Sequence, residues 1–389
     1  MDYKLNRAWA EIDLDAIAHN VREIKKLTGE KAEMMGVVKA DAYGHGVREV
    51  VRTLLDNGVA QLAVSMLDEA IQIRNMGIAV PILILGYTDP IRAEELILND
   101  VTQTVFSLEL AQALSSASVR LGKKVRIHVK VDTGMTRIGF MPGCDAVRSI
   151  MEISRLPGLV LEGIFTHFAS ADEREKDYTQ MQYDRFLGLC TELSRAGIEI
   201  PVKHVCNSGG IMQYPEMHLD MVRPGVILYG LYPSQDVDRE KLRLKPAMTL
   251  KANVIMVKDV EPDTCISYGR IFRTSRRSKI ATIPIGYADG YTRLLSNKGR
   301  MLVNGEFAPV VGRICMDQCM IDVTDLKKDV HVGDEAVIFG DQNGSSISVD
   351  EIAAYIGTIN YELVCIIGKR IPRVYLKDGK ICSILNYLI

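Results

Sequence analysis

Residues 34–65 read MMGVVKADAYGHGVREVVRTLLDNGVAQLAVS, and they spell one repeating unit. An apolar run from Met34 to Lys39 has the composition of a buried strand. Val47, Val50, Val51, Leu54 and Leu55 then recur at helical spacing, and Gly58 closes that helix. A second strand lies near Leu62 to Ser65. The same alternation extends in both directions. Upstream, Asp13 caps a helix with Ile17, Val21, Ile24 and Leu27 on one face, and Gly29 ends it. Downstream the predicted strands are Ile82 to Leu85, Thr102 to Phe106, Val125 to Val131, Leu159 to His167, Val202 to Cys206 and Leu219 to Val222, with helices between them. About eight strands alternating with helices make an α/β chain whose expected form is a (β/α)8 TIM-type barrel. An open doubly wound sheet is the alternative that the pattern leaves open.

After Pro246 the pattern changes. LKANVIMVKDV, SKIATIPIGY, RMLVNGEFAPVVG and EAVIFG are strand-like, and turn signals such as Asn304-Gly305 and Asp378-Gly379 separate them. One helix is expected near Val349 to Ile356. The reading is a barrel over residues 1–240 and a mostly β domain over 241–389, the join falling in the polar stretch from Pro233 to Pro246.

The chain has 389 residues, 47% hydrophobic and 25% charged, with a formal net charge of −2. That balance excludes a disordered or fibrous chain and offers no positive field for nucleic acid or anionic lipid. The longest apolar stretches fall far below the ~20 residues of a membrane span. The start, MDYKLNRAWAEIDLD, is charged from its second residue and does not read as a signal peptide. Eight scattered cysteines form no CxxC, so neither a disulfide framework nor a metal site is expected. A reduced, cytoplasmic protein follows.

A barrel carries its chemistry at the C-terminal ends of its strands. Lys39 ends the first. Partial desolvation there would make it a Schiff-base nucleophile; a strand-end lysine in water is the plainer reading. Tyr43 and Gly44-His45-Gly46 then open a helix, a place suited to anions. In Val125 to Val131, Val125, Ile127, Val129 and Val131 face the outer helices, while Arg126, His128 and Lys130 face the interior. A buried Lys130 needs an anion: Glu162, Asp132 or a carbamate on Lys130 itself. The following loop brings Arg137 to the mouth, and His167 stands at the rim after the sixth strand. Ser208 follows the seventh, and Arg223, Gly225 and Val226 follow the eighth. Loops in those two places commonly bind phosphate, so a phosphorylated ligand is expected.

VVKADAYGHG, DTGMTRIGF, THFASAD, NSGG, MVRPGVILYG, ISYG, IPIGYADGY, VGRICMDQ and TINYE, in this order, closely resemble the alanine racemases, from Trp9 to Arg373. The resemblance implies a pyridoxal 5'-phosphate enzyme that interconverts L-alanine and D-alanine and supplies D-alanine for bacterial peptidoglycan. Lys39 resembles the lysine that holds the cofactor covalently, and Tyr268 the second base. Arg223 resembles the arginine facing the pyridine nitrogen, and His167 the histidine that positions the tyrosine and arginine. Tyr43, Ser208, Gly225, Val226 and Tyr361 match the phosphate-holding positions. Arg137, Met316 and Asp317 match residues near the substrate, Lys130 a lysine carbamylated in some members, and Asp172, Tyr287 and Arg313 residues lining the entry. The resemblance further implies a homodimer in which the β domain of one subunit covers the barrel of the other. Before it is weighed, a barrel lyase using Lys39 is a rival. Pyridoxal-phosphate decarboxylases, which place an acid where Arg223 stands, and a non-catalytic cofactor carrier are two more. The basic run Arg270, Arg273, Arg276, Arg277 and Lys279 has no family role and reads as a solvated loop.

Overall fold

The protein is described from a computed structural model covering residues 7–389. The first six residues of the polar start, MDYKLN, lie outside the described residues. Two compact units emerge, and they are interleaved along the chain. One comprises Ile17–Ala42 and Val47–Lys245; the other takes the chain up to Ala16, Tyr43–Gly46 and Pro246–Ile389. The reason lies in the first strand, β1 (Ala8–Asp13), which lies ahead of the strands expected from the sequence. It pairs antiparallel with Met248–Asn253 and parallel with Arg373–Lys377. Asp13 still caps the helix Leu14–Thr28, its Oδ1 accepting from the Ala16 amide at 2.9 Å.

The barrel unit consists of β2 (Glu33–Val37), β3 (Gln61–Val64), β4 (Ile82–Ile84), β5 (Thr102–Val105), β6 (Val125–Lys130), β7 (Leu159–Phe165), β8 (Val202–His204) and β9 (Met221–Val222). All are parallel and follow chain order, and β9 returns to lie beside β2. That return excludes the open doubly wound sheet. β8 and β9 nearly close the ring: the Asp220 amide donates to Lys203 O at 3.2 Å and the Arg223 amide to Cys206 O at 3.0 Å. The helices bury the predicted faces, with Ile17, Val21 and Ile24 on one and Val50, Val51 and Leu54 on the next fully covered. Val125, Ile127, Val129 and Val131 are likewise buried. The inner faces carry buried polar groups: Thr104, His128, Lys130 and His204.

The other unit is mostly β. An eight-stranded sheet contains β1 and the strands Met248–Asn253, Arg300–Val303, Glu306–Pro309, Glu335–Gln342, Ser345–Ile347, Arg373–Lys377 and Lys380–Leu385. Met256–Val260, Ser278–Ile283 and Cys319–Asp322 form a three-stranded sheet, and Cys265–Ile266 with Phe272–Arg273 a short hairpin. The expected helix Val349–Ile356 is present, and a second, Asn360–Cys365, follows it. No helix among the described residues is long and apolar enough to cross a membrane.

Candidate active site

Strand β2 stops at Val37, two residues before Lys39, the expected strand end. Lys39 instead opens a left-handed turn: Ala40, Asp41, Ala42 and Tyr43 all take φ between 52° and 54°. An L-residue there costs about 1–2 kcal/mol, so the turn must be held in place. The Ala40 amide donates to Glu69 Oε1 at 2.7 Å, the Ala42 amide to Val38 O at 2.9 Å, and the Val47 amide to Asp41 Oδ1 at 2.8 Å. The last of these corrects an expectation. The amide at the start of the helix after Gly46 is taken by the chain's own Asp41.

Lys39, Lys130, Arg137, Phe165 and His167 line a cavity of about 330 Å³ in the barrel mouth. Lys130 is 3% exposed and donates to Val131 O at 2.7 Å. Glu162, one expected partner, sits beside His128 and Arg126 instead. Arg126 lies at the opposite strand end, a third exposed, paired with Asp100 as well. The Asp132 carboxylate accepts from the Gly134, Thr136 and Arg137 amides. It acts on Lys130 only through space. Burial, then Arg223 and Arg137, drive the Lys130 ammonium down to about 7 against the opposing pull of Asp132. His167 is pushed well below the ordinary imidazole range by burial and by the surrounding cations Arg223, Arg137, Lys130 and Lys39.

Arg223 is 3% exposed. Its guanidinium donates to Thr166 O at 2.8 Å, Val205 O at 3.0 Å, His204 Nδ1 at 2.8 Å and, more weakly, His167 Nδ1 at 3.5 Å. Burial lowers it to about 10, which leaves it cationic at neutral pH. Ser208, Gly225 and Val226 come together as expected. Asn207 caps the short helix Ser208–Gln213, and Ser208 Oγ accepts from the Gly225 amide at 3.0 Å. Gly209 keeps this corner tight, since a Cβ there would lie 2.9 Å from the Asp172 amide. That contact brings the half-buried Asp172 beside Ser208, and burial raises its carboxyl.

The remaining candidates lie in the other unit. Tyr43 and Tyr361 face each other with ring centroids 6.3 Å apart, and burial pushes the Tyr43 phenol up. Tyr268 projects from the tip of the Cys265–Ile266/Phe272–Arg273 hairpin and is 70% exposed. Three loops are knitted around it. Ser267 Oγ donates to Arg313 O at 2.6 Å, the Tyr287 amide to Cys315 O at 3.1 Å, and the Ala288 amide to Met316 O at 3.1 Å. Tyr268, Tyr287, Arg313, Met316 and Asp317 are thereby brought to one edge of this unit.

Sequence reading missed what holds Asp317. Arg370 NH2 bonds its Oδ1 at 2.7 Å, while Arg370 Nε stands 3.5 Å from the fully buried Asp289, which Arg7 also pairs at 2.5 Å. Asp289 sits inside IPIGYADGY, so the motif itself carried that signal. The basic run around Arg276 is balanced by acids: Arg273 pairs Asp263, Arg276 pairs Asp325 and Lys279 pairs Asp329. These charges are solvated as expected, but Arg273 and Lys279 lie in the strands Phe272–Arg273 and Ser278–Ile283 and not in a loop. Cys144, Cys190, Cys206, Cys265, Cys315 and Cys319 form no disulfide, and no metal-binding cluster occurs among the described residues.

Residues 12–233 match the family described as alanine racemase, N-terminal domain, and residues 247–375 its C-terminal domain. The chain is 50% identical over 388 residues to the alanine racemase of Clostridium perfringens, covering 100% of both chains. Among solved structures, the alanine racemase of Clostridium difficile 630 superposes with a TM-score of 0.96 at 46% identity, covering 99% of this chain and 100% of that one. Alanine racemase from Bacillus anthracis with bound L-Ala-P gives 0.93 at 38% identity, covering 98% of each. Fold and site thus define an isomerase built from a barrel with a lysine- and arginine-rich mouth and a β unit bearing an exposed tyrosine. The chain belongs to the alanine racemase family.

Proposed function

We propose that this chain interconverts L-alanine and D-alanine with pyridoxal 5'-phosphate, as a cytoplasmic homodimer, and so supplies D-alanine for peptidoglycan. The observation that carries the cofactor reading is the convergence of Lys39, Lys130, Arg137 and Arg223 on one barrel mouth. The one carboxylate acting on Lys130 there, Asp132, already spends its oxygens on amides. Such a cationic donor set, with the Ser208 hydroxyl beside the Gly225 amide, fits a phosphorylated, carboxylate-bearing ligand.

Lys39 is the residue to hold the cofactor covalently. Ser208, Gly225, Val226, Tyr43 and Tyr361 would hold its phosphate, and Arg223 would face its ring nitrogen, with His167 beside it. When bound, the cofactor supplies an electron sink for the pair released at the substrate α-carbon. The chain's own residues handle the proton. Lys39 Nζ and the Tyr268 phenolic oxygen serve opposite faces, one taking a proton while the other returns one. Arg137 orients the substrate, Met316 and Asp317 stand near its carboxylate, and Asp172, Tyr287 and Arg313 line its entry. Arg223 stays cationic and donates without giving up its proton. Tyr268 is 70% exposed in the single chain, whereas a general base works best with water excluded. A partner subunit's barrel supplies that cover.

Chiral analysis of L-alanine incubated with the protein and pyridoxal phosphate tests this reading. Accumulation of D-alanine to a racemate is expected, with borohydride fixing label on the peptide that holds Lys39. Cofactor absorbance without racemisation would instead identify a carrier, and label on another lysine would displace Lys39.

A further inference from the structure

Arg223 does not end at the barrel mouth. Behind it runs a buried chain of polar groups that crosses the barrel interior. Arg223 NH1 donates to His204 Nδ1 at 2.8 Å, His204 Nε2 lies 2.8 Å from His128 Nδ1, and His128 Nε2 lies 3.2 Å from Glu162 Oε2. Both imidazoles are at most 1% exposed.

A guanidinium only donates, so every later link has its direction set. His204 must accept at Nδ1 and, being neutral, carry its proton on Nε2. His128 must then accept at Nδ1 and carry its proton on Nε2, which Glu162 receives. One extra proton on either ring would set two donors face to face, and no water can intervene at this depth. Burial and Arg223 push His204 well below the ordinary imidazole range, in keeping with a neutral ring. Two backbone features serve this chain. The β6–β7 register shifts between Ile127 and His128, pairing Ile127 with Leu161 and His128 with Gly163, so Glu162 is the extra residue of a bulge. A bulge re-aims a side chain. Gly163 makes room for the ring, because a Cβ there would lie 2.5 Å from His128 Nδ1.

We propose that Glu162, acting through His128 and His204, is a positioning residue for Arg223: an anion at the far end of the barrel that fixes both tautomers and the aim of the guanidinium. Its consequence for catalysis rests on Arg223 facing the cofactor ring, as set out above.

Nitrogen NMR of histidine-labelled, cofactor-free protein reads the tautomers without any turnover. Protons on Nε2 of both His128 and His204 are expected; a proton on His204 Nδ1 would overturn the chain. Glu162→Gln keeps an acceptor oxygen and the side-chain volume but removes the charge. Its kcat should fall about tenfold to a hundredfold, the size seen when the carboxylate behind a metal-bound histidine is lost, with KM for alanine unmoved. His128→Asn should lower kcat similarly, and the double variant should lose no more than either alone. Wild-type kcat in both single variants, with melting temperatures intact, would overturn the positioning role. If the unaltered protein fails to racemise alanine, the functional reading falls, while the histidine spectra still judge the chain.

Discussion

A lysine 3% exposed among arginines can rest in two ways: it can shed its proton, or it can acquire an anion. Lys130 is driven down to about 7 from an ordinary 10.5, so the free amine is its main form in mildly alkaline solution. The sign follows from linkage. Between those two values the unfolded chain binds a proton that the folded chain has released. Lys130 therefore weakens the fold most below about pH 7, and the penalty fades as pH climbs toward 10.5. A free amine beside Arg137 and Arg223 is also set up to add carbon dioxide, releasing a proton and becoming a carbamate anion that those arginines neutralise. In bicarbonate above neutrality, intact-mass spectra should show one carbon dioxide gained, and Lys130→Met should abolish it. Lys130→Met should also stabilise the protein more in acid than in base, read from denaturant midpoints. Equal shifts at both pH values would show that the buried charge is not the cause.

Among the elements, the left-handed turn at residues 40–43 sets four consecutive non-glycine residues at positive φ. Relief at Ala40 gains about 1–2 kcal/mol. Glycine there loses about 0.5–1 kcal/mol through its freer unfolded chain. Ala40→Gly should therefore stabilise the protein by about 0.5–1 kcal/mol, detectable as a higher denaturant midpoint. A lower midpoint would mean that the Ala40 methyl packs more than the strain costs. This turn was illegible in the sequence, because Ala-Asp-Ala-Tyr holds none of the glycines that announce a positive φ. Strand–helix alternation was legible because each helix repeats its apolar face on a 3.6-residue period. β1 was not, since the partners that make Ala8–Asp13 a strand lie at Met248–Asn253 and Arg373–Lys377. The helix Asn360–Cys365 is six residues long, too short for a period to show, and Tyr361 was reached through resemblance alone. The residues of the mouth were legible as strand ends. Their partners were not: Glu162 reads as a match for Lys130 until the bulge turns it toward His128.

At the scale of the whole molecule, the proposed dimer makes a test that no single chain can mimic. Lys39→Ala and Tyr268→Phe chains, each nearly inactive, are mixed by co-expression. If Lys39 of one chain works with Tyr268 of the other, half of the dimers are mixed and each of those has one intact site. Activity should then return to about a quarter of that of the unaltered protein, as closed two-fold symmetry requires. No recovery in mixed dimers confirmed by differently tagged chains would refute the shared site and leave the family assignment standing.

The interleaving of the two units also bears on synthesis. β1 leaves the ribosome long before its parallel neighbour, Arg373–Lys377. The strands of the barrel are all translated in between, so their ring can be completed while β1 still waits. Until Arg373–Lys377 is made, Trp9, Ala10 and Ile12, all buried in the finished fold, belong to a strand with an unsatisfied edge. Such an edge invites pairing with other nascent chains. A message cut short before codon 373 leaves that edge permanently open, which turns quality control of this protein into a matter of its first strand as much as its last.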